Sequence, residues 1–161
     1  MKWDYEFDVV VIGSGNGALT SAICSHDGGA KTLVIEKSTQ FGGTSATSGG
    51  GVWIPNNRYA KAMNVDDSDQ DARDYINSVS PEGKIKDELV ETYLSEGPKM
   101  IDYLHENSQV KYRNLAHYPD YFPDNPGGKA GNRSMEPEPI KGTELGDDLT
   151  KLREQHPQTA F

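Results

Sequence analysis

The sequence predicts an α/β fold that opens on a parallel βαβ unit, and three observations carry that prediction. Residues 7–12, Phe-Asp-Val-Val-Val-Ile, form a short β-branched run of the kind buried on both faces of a parallel sheet. From Gly15 to His26 the apolar positions move to helical spacing at Ala18, Leu19, Ala22 and Ile23, and Gly28-Gly29 supplies a stop. Thr32-Leu33-Val34-Ile35 then reads as a second strand ending at Glu36, which completes the unit in about thirty residues.

Composition narrows the function classes. The 161 residues hold 25 acidic and 16 basic side chains, a net charge of −9. A nucleic-acid backbone is held by clustered Lys and Arg, so that partner is excluded as a first reading and the acidic surface reads as solubility. The single cysteine, Cys24, cannot close an internal disulfide and is expected to be a small buried residue on the first helix. No CxxC or HExxH spacing points to a metal. The start, Met1 to Glu6, is too acidic for a signal peptide, and no apolar run nears the ~18 residues of a membrane span, so a soluble cytoplasmic protein is expected. Leu, Ile, Val and Phe number 30, of which 13 fall in the first 54 residues, so the front is expected to build the core and the back to lean on something else.

The rest of the chain follows in order. Residues 41–51 hold five glycines and four hydroxyls in eleven positions. A free linker has such a composition, but the apolar Val52-Trp53-Ile54 directly after it argues for a packed loop. Trp53 either stacks near a bound ring or packs beneath this loop, and packing is the expectation. Residues 66–79 read as an acidic helix with Ala72, Tyr75, Ile76 and Val79 on one face and Ser68 or Asp69 as cap. Asp66, Asp67, Asp69 and Asp71 are read as its solvated start, where the helix dipole favours them. Ile85 to Glu106 reads as two helices broken near Gly97-Pro98, since proline cannot donate the helical hydrogen bond. A short strand is expected at Val110 to Arg113, then a long irregular stretch rich in Pro and Gly, then a weak helix around Glu144 to Arg153. His26, His105, His117 and His156 show no ligand spacing, and all are read as surface or structural. The segments are therefore 1–60, a βαβ unit with its glycine loop, 61–109, a helical segment, and 110–161, a Pro/Gly-rich region.

Gly13-Ser14-Gly15-Asn16-Gly17-Ala18 fits the pattern G-x-G-x-x-G/A between a strand and a helix, which makes the unit Rossmann-like. Gly13 permits the sharp turn, Gly15 lets backbone approach a pyrophosphate, and small Ala18 lets helix and sheet pack closely. Amides at the helix start then face the phosphates. Glu36 stands nineteen residues past Gly17, where an acid is needed to accept from a ribose hydroxyl, and it disfavours the 2′-phosphate of NADP. The second loop selects FAD over NAD. Lys37 follows the acid, Gly42 and Gly43 open the loop, Thr44, Ser45, Thr47 and Ser48 offer small donors, and Gly49, Gly50 and Gly51 allow close contact with a large flat ring.

These residues also resemble a known family. Asp8 to Gly15, Val34 to Lys37, Phe41 to Ala46 and Ser48 to Asn57 are similar to the FAD-binding segment of 3-ketosteroid Δ1-dehydrogenases, within the fumarate reductase and succinate dehydrogenase flavoprotein group. Tyr118-Pro119-Asp120-Tyr121-Phe122-Pro123, Pro126-Gly127-Gly128 and Gly131-Asn132-Arg133-Ser134 resemble a further loop of the steroid branch. The resemblance implies a 3-oxosteroid 1-dehydrogenase that takes a proton from C2 of a 3-ketosteroid with a tyrosine base while hydride leaves C1 for the flavin. It implies that Tyr121 is the active-site tyrosine assisting that base, since a phenol of pKa ~10 removes protons poorly unless its anion is stabilised. Without the resemblance, Tyr121 is an ordinary loop tyrosine.

Two departures from the family matter. Group members with covalent FAD carry a histidine in the glycine loop where Gly43 stands here, so noncovalent FAD is implied. Family members are several times longer and keep the base, the groups that polarise the C3 carbonyl and a second FAD-contacting segment further along. An incomplete, N-terminal fragment with a polar end at Gln155 to Phe161 is therefore expected, together with an electron acceptor that the sequence does not identify. The alternatives are a fumarate reductase-type flavoprotein, which needs cations for dicarboxylates, and a truncated noncatalytic nucleotide-binding module.

Overall fold

The computed structural model describes residues 3–82 and 84–156, so the expectations for the first two residues and for the end beyond residue 156 lie outside it. The chain divides into two units, Met1–Gly50 with Ile140–Phe161, and Gly51–Pro139.

In the first unit β1 (Val9–Ile12), α1 (Asn16–Asp27) and β2 (Thr32–Ile35) form the βαβ motif. The strands pair in parallel from Val9 opposite Thr32 to Ile12 opposite Ile35. Gly28 donates to Cys24 O at 3.0 Å and Gly29 takes a φ of 88°, so the double glycine ends α1 as expected. Two expectations are corrected. Cys24 is exposed, because it lies on a face of α1 turned from the strands. The front does not hold the larger core either. Ala22 is its buried hydrophobic, while Val10, Ile12 and Ile35 stay exposed, because nothing among the described residues covers that side of the strands.

Residues of the far segment return to this unit. Phe41 and Leu152 form a parallel bridge, with Phe41 N donating to Lys151 O and Arg153 N to Phe41 O, both at 2.9 Å. The weak helix expected around Glu144 to Arg153 takes the form of a 3-10 segment, Gly142–Lys151, interrupted at Gly146. The φ of 53° and ψ of −132° there break the helical ladder.

The second unit is built on an antiparallel sheet of β3 (Val52–Trp53), β4 (Tyr112–Asn114) and β5 (Ser134–Pro137), with β5 in the centre. Three helices accompany it, α2 (Arg58–Ala62), α3 (Asp69–Val79) and α4 (Asp87–Asn107). Asn57 caps α2 by accepting from Tyr59 N and Ala60 N, and its amide donates to Ile54 O and Asn132 O, so its burial costs little. Ser68 caps α3 by accepting from Asp71 N at 3.1 Å.

Helix α4 is one helix and not two. Pro98 removes one backbone bond, but Val90, Leu94 and Ile101 are each buried, and such side chains contribute about 1.5–3 kcal/mol apiece. Gly97 adds to this by admitting Ile54, whose Cδ1 would lie 3.3 Å from a Cβ there. The buried clusters are Ile54, Ile101, Tyr112 and Met135, and Ala72, Val90 and Leu94.

The Pro/Gly-rich stretch is more ordered than expected. It contains β5, whose Ser-Met-Glu-Pro lacks any β-branched residue and so gives no strand signal. Asp120 N donates to Lys129 O at 3.0 Å, and a Cβ on Gly131 would fall 2.0 Å from Ala116 O, so the loop packs backbone against backbone.

Candidate functional site

The fingerprint turn stands where the sequence places it. Gly13, at a φ of 98°, donates to Ile35 O at 2.7 Å and hands the chain from β1 into the start of α1. Gly15 is the N-cap, with no side chain to cap the helix. The backbone amides of Gly15, Gly17 and Ala18 have no partner among the described residues, which is the donor set that a diphosphate requires. Asn16 differs from expectation, because its amide already donates to Ser45 Oγ at 2.9 Å.

Glu36 follows β2 and is held by two donors. Ser14 Oγ donates to Oε2 at 2.5 Å, and Ser38 N donates to Oε1 at 2.9 Å. The Ser14 hydroxyl, then the Ser38 amide, hold the Glu36 carboxyl below the usual range, so it is an anion ready to accept from a sugar hydroxyl. Lys37 beside it is exposed.

The glycine loop is stitched to the fingerprint. Ser14 Oγ accepts from Gly42 N at 3.0 Å, and a Cβ on Gly43 would lie 3.2 Å from Gly15 Cα. Thr44 and Ser45 are exposed, and Ser48 Oγ accepts from Gly50 N at 3.0 Å. The open amides, the anionic Glu36 and a loop kept narrow by Gly42 and Gly43 fit the diphosphate and ribose of a dinucleotide. Gly49 has open space around it, while Gly51 belongs to the second unit.

The second unit contains an apolar cavity of about 280 Å³. Trp53, Tyr75, Ile76 and Val79 line it, together with residues 118–122 and Ser134. Tyr121 is on this wall, 83% exposed, and its hydroxyl has no partner among the described residues. Trp53 packs against aromatics of its own unit, with its ring 5.8 Å from Tyr75 and 6.3 Å from Tyr93. Tyr93 donates to Trp53 O, and burial pushes the Tyr93 phenol up.

Below the cavity sits a cluster that the sequence did not reveal. Arg133 is buried between Asp67, at 2.7 Å, and Asp120, at 2.9 Å, with all three side chains 3% exposed or less. Asp67 is therefore a buried ion-pair partner and not part of a solvated helix start. No local spacing links Asp67 to Arg133. His117 is exposed, and His105 Nδ1 meets Tyr59 Oη at 2.9 Å, consistent with structural roles. Among the described residues there is no group of acids, histidines and cysteines able to hold a metal, and no helix is long and apolar enough to cross a membrane.

Comparison with known proteins agrees with this geometry. The family described as FAD binding domain matches residues 8–160. The chain is 41% identical over 147 residues to a 3-oxosteroid 1-dehydrogenase of Mycolicibacterium smegmatis, covering 91% of this chain and 26% of that protein. It is 38% identical over 143 residues to a 4-oxocyclohexanecarboxylate 2-dehydrogenase of Sinomonas cyclohexanicum, covering 89% of this chain and 25% of that protein. Among solved structures, the 3-ketosteroid delta1-dehydrogenase from Sterolibacterium denitrificans in complex with 1,4-androstadiene-3,17-dione superimposes with a TM-score of 0.88 at 40% identity. That match covers 95% of this chain and 27% of that one. The chain thus spans about a quarter of the length of the relatives it matches.

Proposed function

This chain belongs to the FAD binding domain family, and from that premise we propose that it is the cofactor-binding part of a 3-oxosteroid 1-dehydrogenase. When bound, FAD supplies the hydride acceptor for oxidation of a CH–CH bond beside a ketone. Gly15, Gly17 and Ala18 would hold its diphosphate and Glu36 its ribose. Gly43 offers no side chain for attachment, so the cofactor is held without a covalent bond.

The observation that carries the substrate reading is the cavity beside Tyr121, walled by Trp53, Ile76, Val79 and Phe122. Its wall is apolar enough to take a fused hydrocarbon ring. Tyr121 carries an uncommitted hydroxyl on this wall. Its role is to donate to the phenolate of the base as a C2 proton is removed, which lowers the cost of forming that anion. C1 then loses a hydride, and a C1–C2 double bond remains. Proton and hydride together account for the two hydrogens lost.

A fumarate-type reading requires free cations for two carboxylates. Arg133, which bonds to the cavity-lining Asp120, is already paired with it and with Asp67. A noncatalytic module predicts flavin colour at most. The test is anaerobic titration of the purified protein at its natural length with a 3-ketosteroid and, separately, with 4-oxocyclohexanecarboxylate. Bleaching of the flavin band by the steroid is expected. Bleaching by the small oxo acid alone would replace the steroid as substrate, and no bleaching by either would remove the dehydrogenase reading.

A further inference from the structure

Residues 118–122 have little regular structure, yet they form one wall of the cavity. Something must hold them in place, because an apolar ligand gains most from a wall that does not have to be ordered on binding. Backbone amide bonds from Asp120 N to Lys129 O at 3.0 Å and from Phe122 N to Tyr75 Oη at 3.2 Å help to fix this segment, and three further bonds converge on one carboxylate. Asp120 Oδ1 accepts from Trp53 Nε1 at 2.6 Å, and Oδ2 accepts from Lys129 N at 2.9 Å and from Arg133 Nη1 at 2.9 Å. One side chain thus ties the Tyr121 segment to the opposite wall, to the returning loop and to a buried cation.

Arg133 is itself fully engaged. Its Nε and Nη2 donate to Asp67, with Nη2 to Oδ1 at 2.7 Å, and its guanidinium lies 5.6 Å from the Trp53 ring and 5.7 Å from the Tyr75 ring. Asp67 in turn accepts from Asn56 N at 3.0 Å and Ser68 N at 3.0 Å, which anchors the assembly at the start of α3. The planar fork of arginine can serve two carboxylates and two ring faces at once, and lysine cannot.

We propose that Arg133 is a positioning residue for the substrate cavity. Through Asp67 on one side and Asp120 on the other, it fixes the Tyr118–Phe122 wall against Trp53 and Tyr75. Arg133 is not among the residues that line the cavity, so it acts through its neighbours. The proposal rests on the reading of that cavity as the steroid site.

Asp67→Asn tests it, since this change keeps shape, leaves the cavity lining intact and weakens only the far anchor. In the FAD-loaded protein at natural length, the Kd of a steroid 1,4-dien-3-one, whose C1–C2 bond is already a double bond so that it binds without reacting, is read from the flavin spectrum. Exchange of the Asp120, Phe122 and Lys129 amides is followed in parallel. The expected result is a Kd raised about tenfold, faster exchange at those three amides, and unchanged flavin content and unchanged exchange in β1 and β2. Arg133→Lys should behave in the same way, because the charge alone does not replace the fork. Unchanged exchange in Asp67→Asn, or faster exchange with an unchanged Kd, overturns the proposal. If the wild-type protein itself binds no steroid, the substrate reading falls, and the exchange result alone decides whether Arg133 orders the segment. Should Asp67→Asn yield no folded protein, Arg133→Lys, which also leaves the cavity lining unchanged, is judged by the same two readouts.

Discussion

Ser14 Oγ donates to Glu36 Oε2 across 2.5 Å and accepts the Gly42 amide at 3.0 Å. One buried hydroxyl therefore connects the fingerprint turn, the acid after β2 and the glycine loop. The variable second position of the G-x-G pattern is here a structural junction.

Ser14→Ala removes both bonds. The Gly42 amide loses its acceptor and Glu36 loses its shortest donor, so FAD affinity should fall about tenfold, the scale of a charge-assisted hydrogen bond. Quenching of flavin fluorescence on titration into apoprotein measures this. An affinity equal to wild type would show that Ser14 positions neither group.

The same bond predicts a pH effect. The folded Glu36 carboxyl is lowered, chiefly by Ser14 and then by Ser38, so its stabilisation is present above the ordinary carboxylate pKa and is lost as pH falls through the depressed value. Asp71, lowered by Lys129, and Glu96, lowered by Lys99, act in the same direction. Ser14→Ala removes the Gly42 bond as well, which does not titrate, so the pH-dependent part of its effect reports Glu36. Acid melting of the variant should begin at higher pH than that of the wild type, as read by thermal denaturation across a pH series.

Gly43 combines a φ of 56° with a close approach to Gly15, and an added Cβ would lie 3.2 Å from Gly15 Cα and 3.4 Å from its nitrogen. Gly43→Ala should cost about 1–2 kcal/mol from the left-handed backbone alone, and the contact adds to this. Chemical denaturation gives the loss, and retention of FAD should weaken with it.

Tyr121→Phe removes a hydroxyl that has no partner among the described residues, so the fold and the flavin content should be unchanged. The rate of flavin bleaching by a 3-ketosteroid should drop by at least ~100-fold, the scale of acid–base assistance, with little change in steroid affinity. Stopped-flow absorbance separates the two quantities. A wild-type rate would return Tyr121 to the status of a loop residue.

Local signals foretold the first unit well. The run to Ile12, the fingerprint and Thr32 to Ile35 each state their structure within a few residues, and the Gly28 stop and the Ser68 cap are equally local. What escaped was non-local. β5 has no strand composition and exists because β3 and β4 supply its partners. Pro98 sits inside α4 because the buried positions around it outweigh one lost bond. Asp67 looked solvated beside Asp66 and Asp69, and only the fold brings Arg133 to it. The turn at Gly13 to Ala18 was legible because backbone approach and helix polarity impose a spacing on it. The cavity and its buried arginine impose none.

The start of α1 is expected to grip a diphosphate while Glu36 holds the adjoining ribose. Calorimetric titration of apoprotein at its natural length with FAD tests it most directly, with Glu36→Ala alongside. One tight, reversible site per chain is expected in the wild type, with an affinity at least about tenfold weaker in the variant. Wild-type protein that takes up no FAD, or a Glu36→Ala variant that binds it equally well, would contradict it.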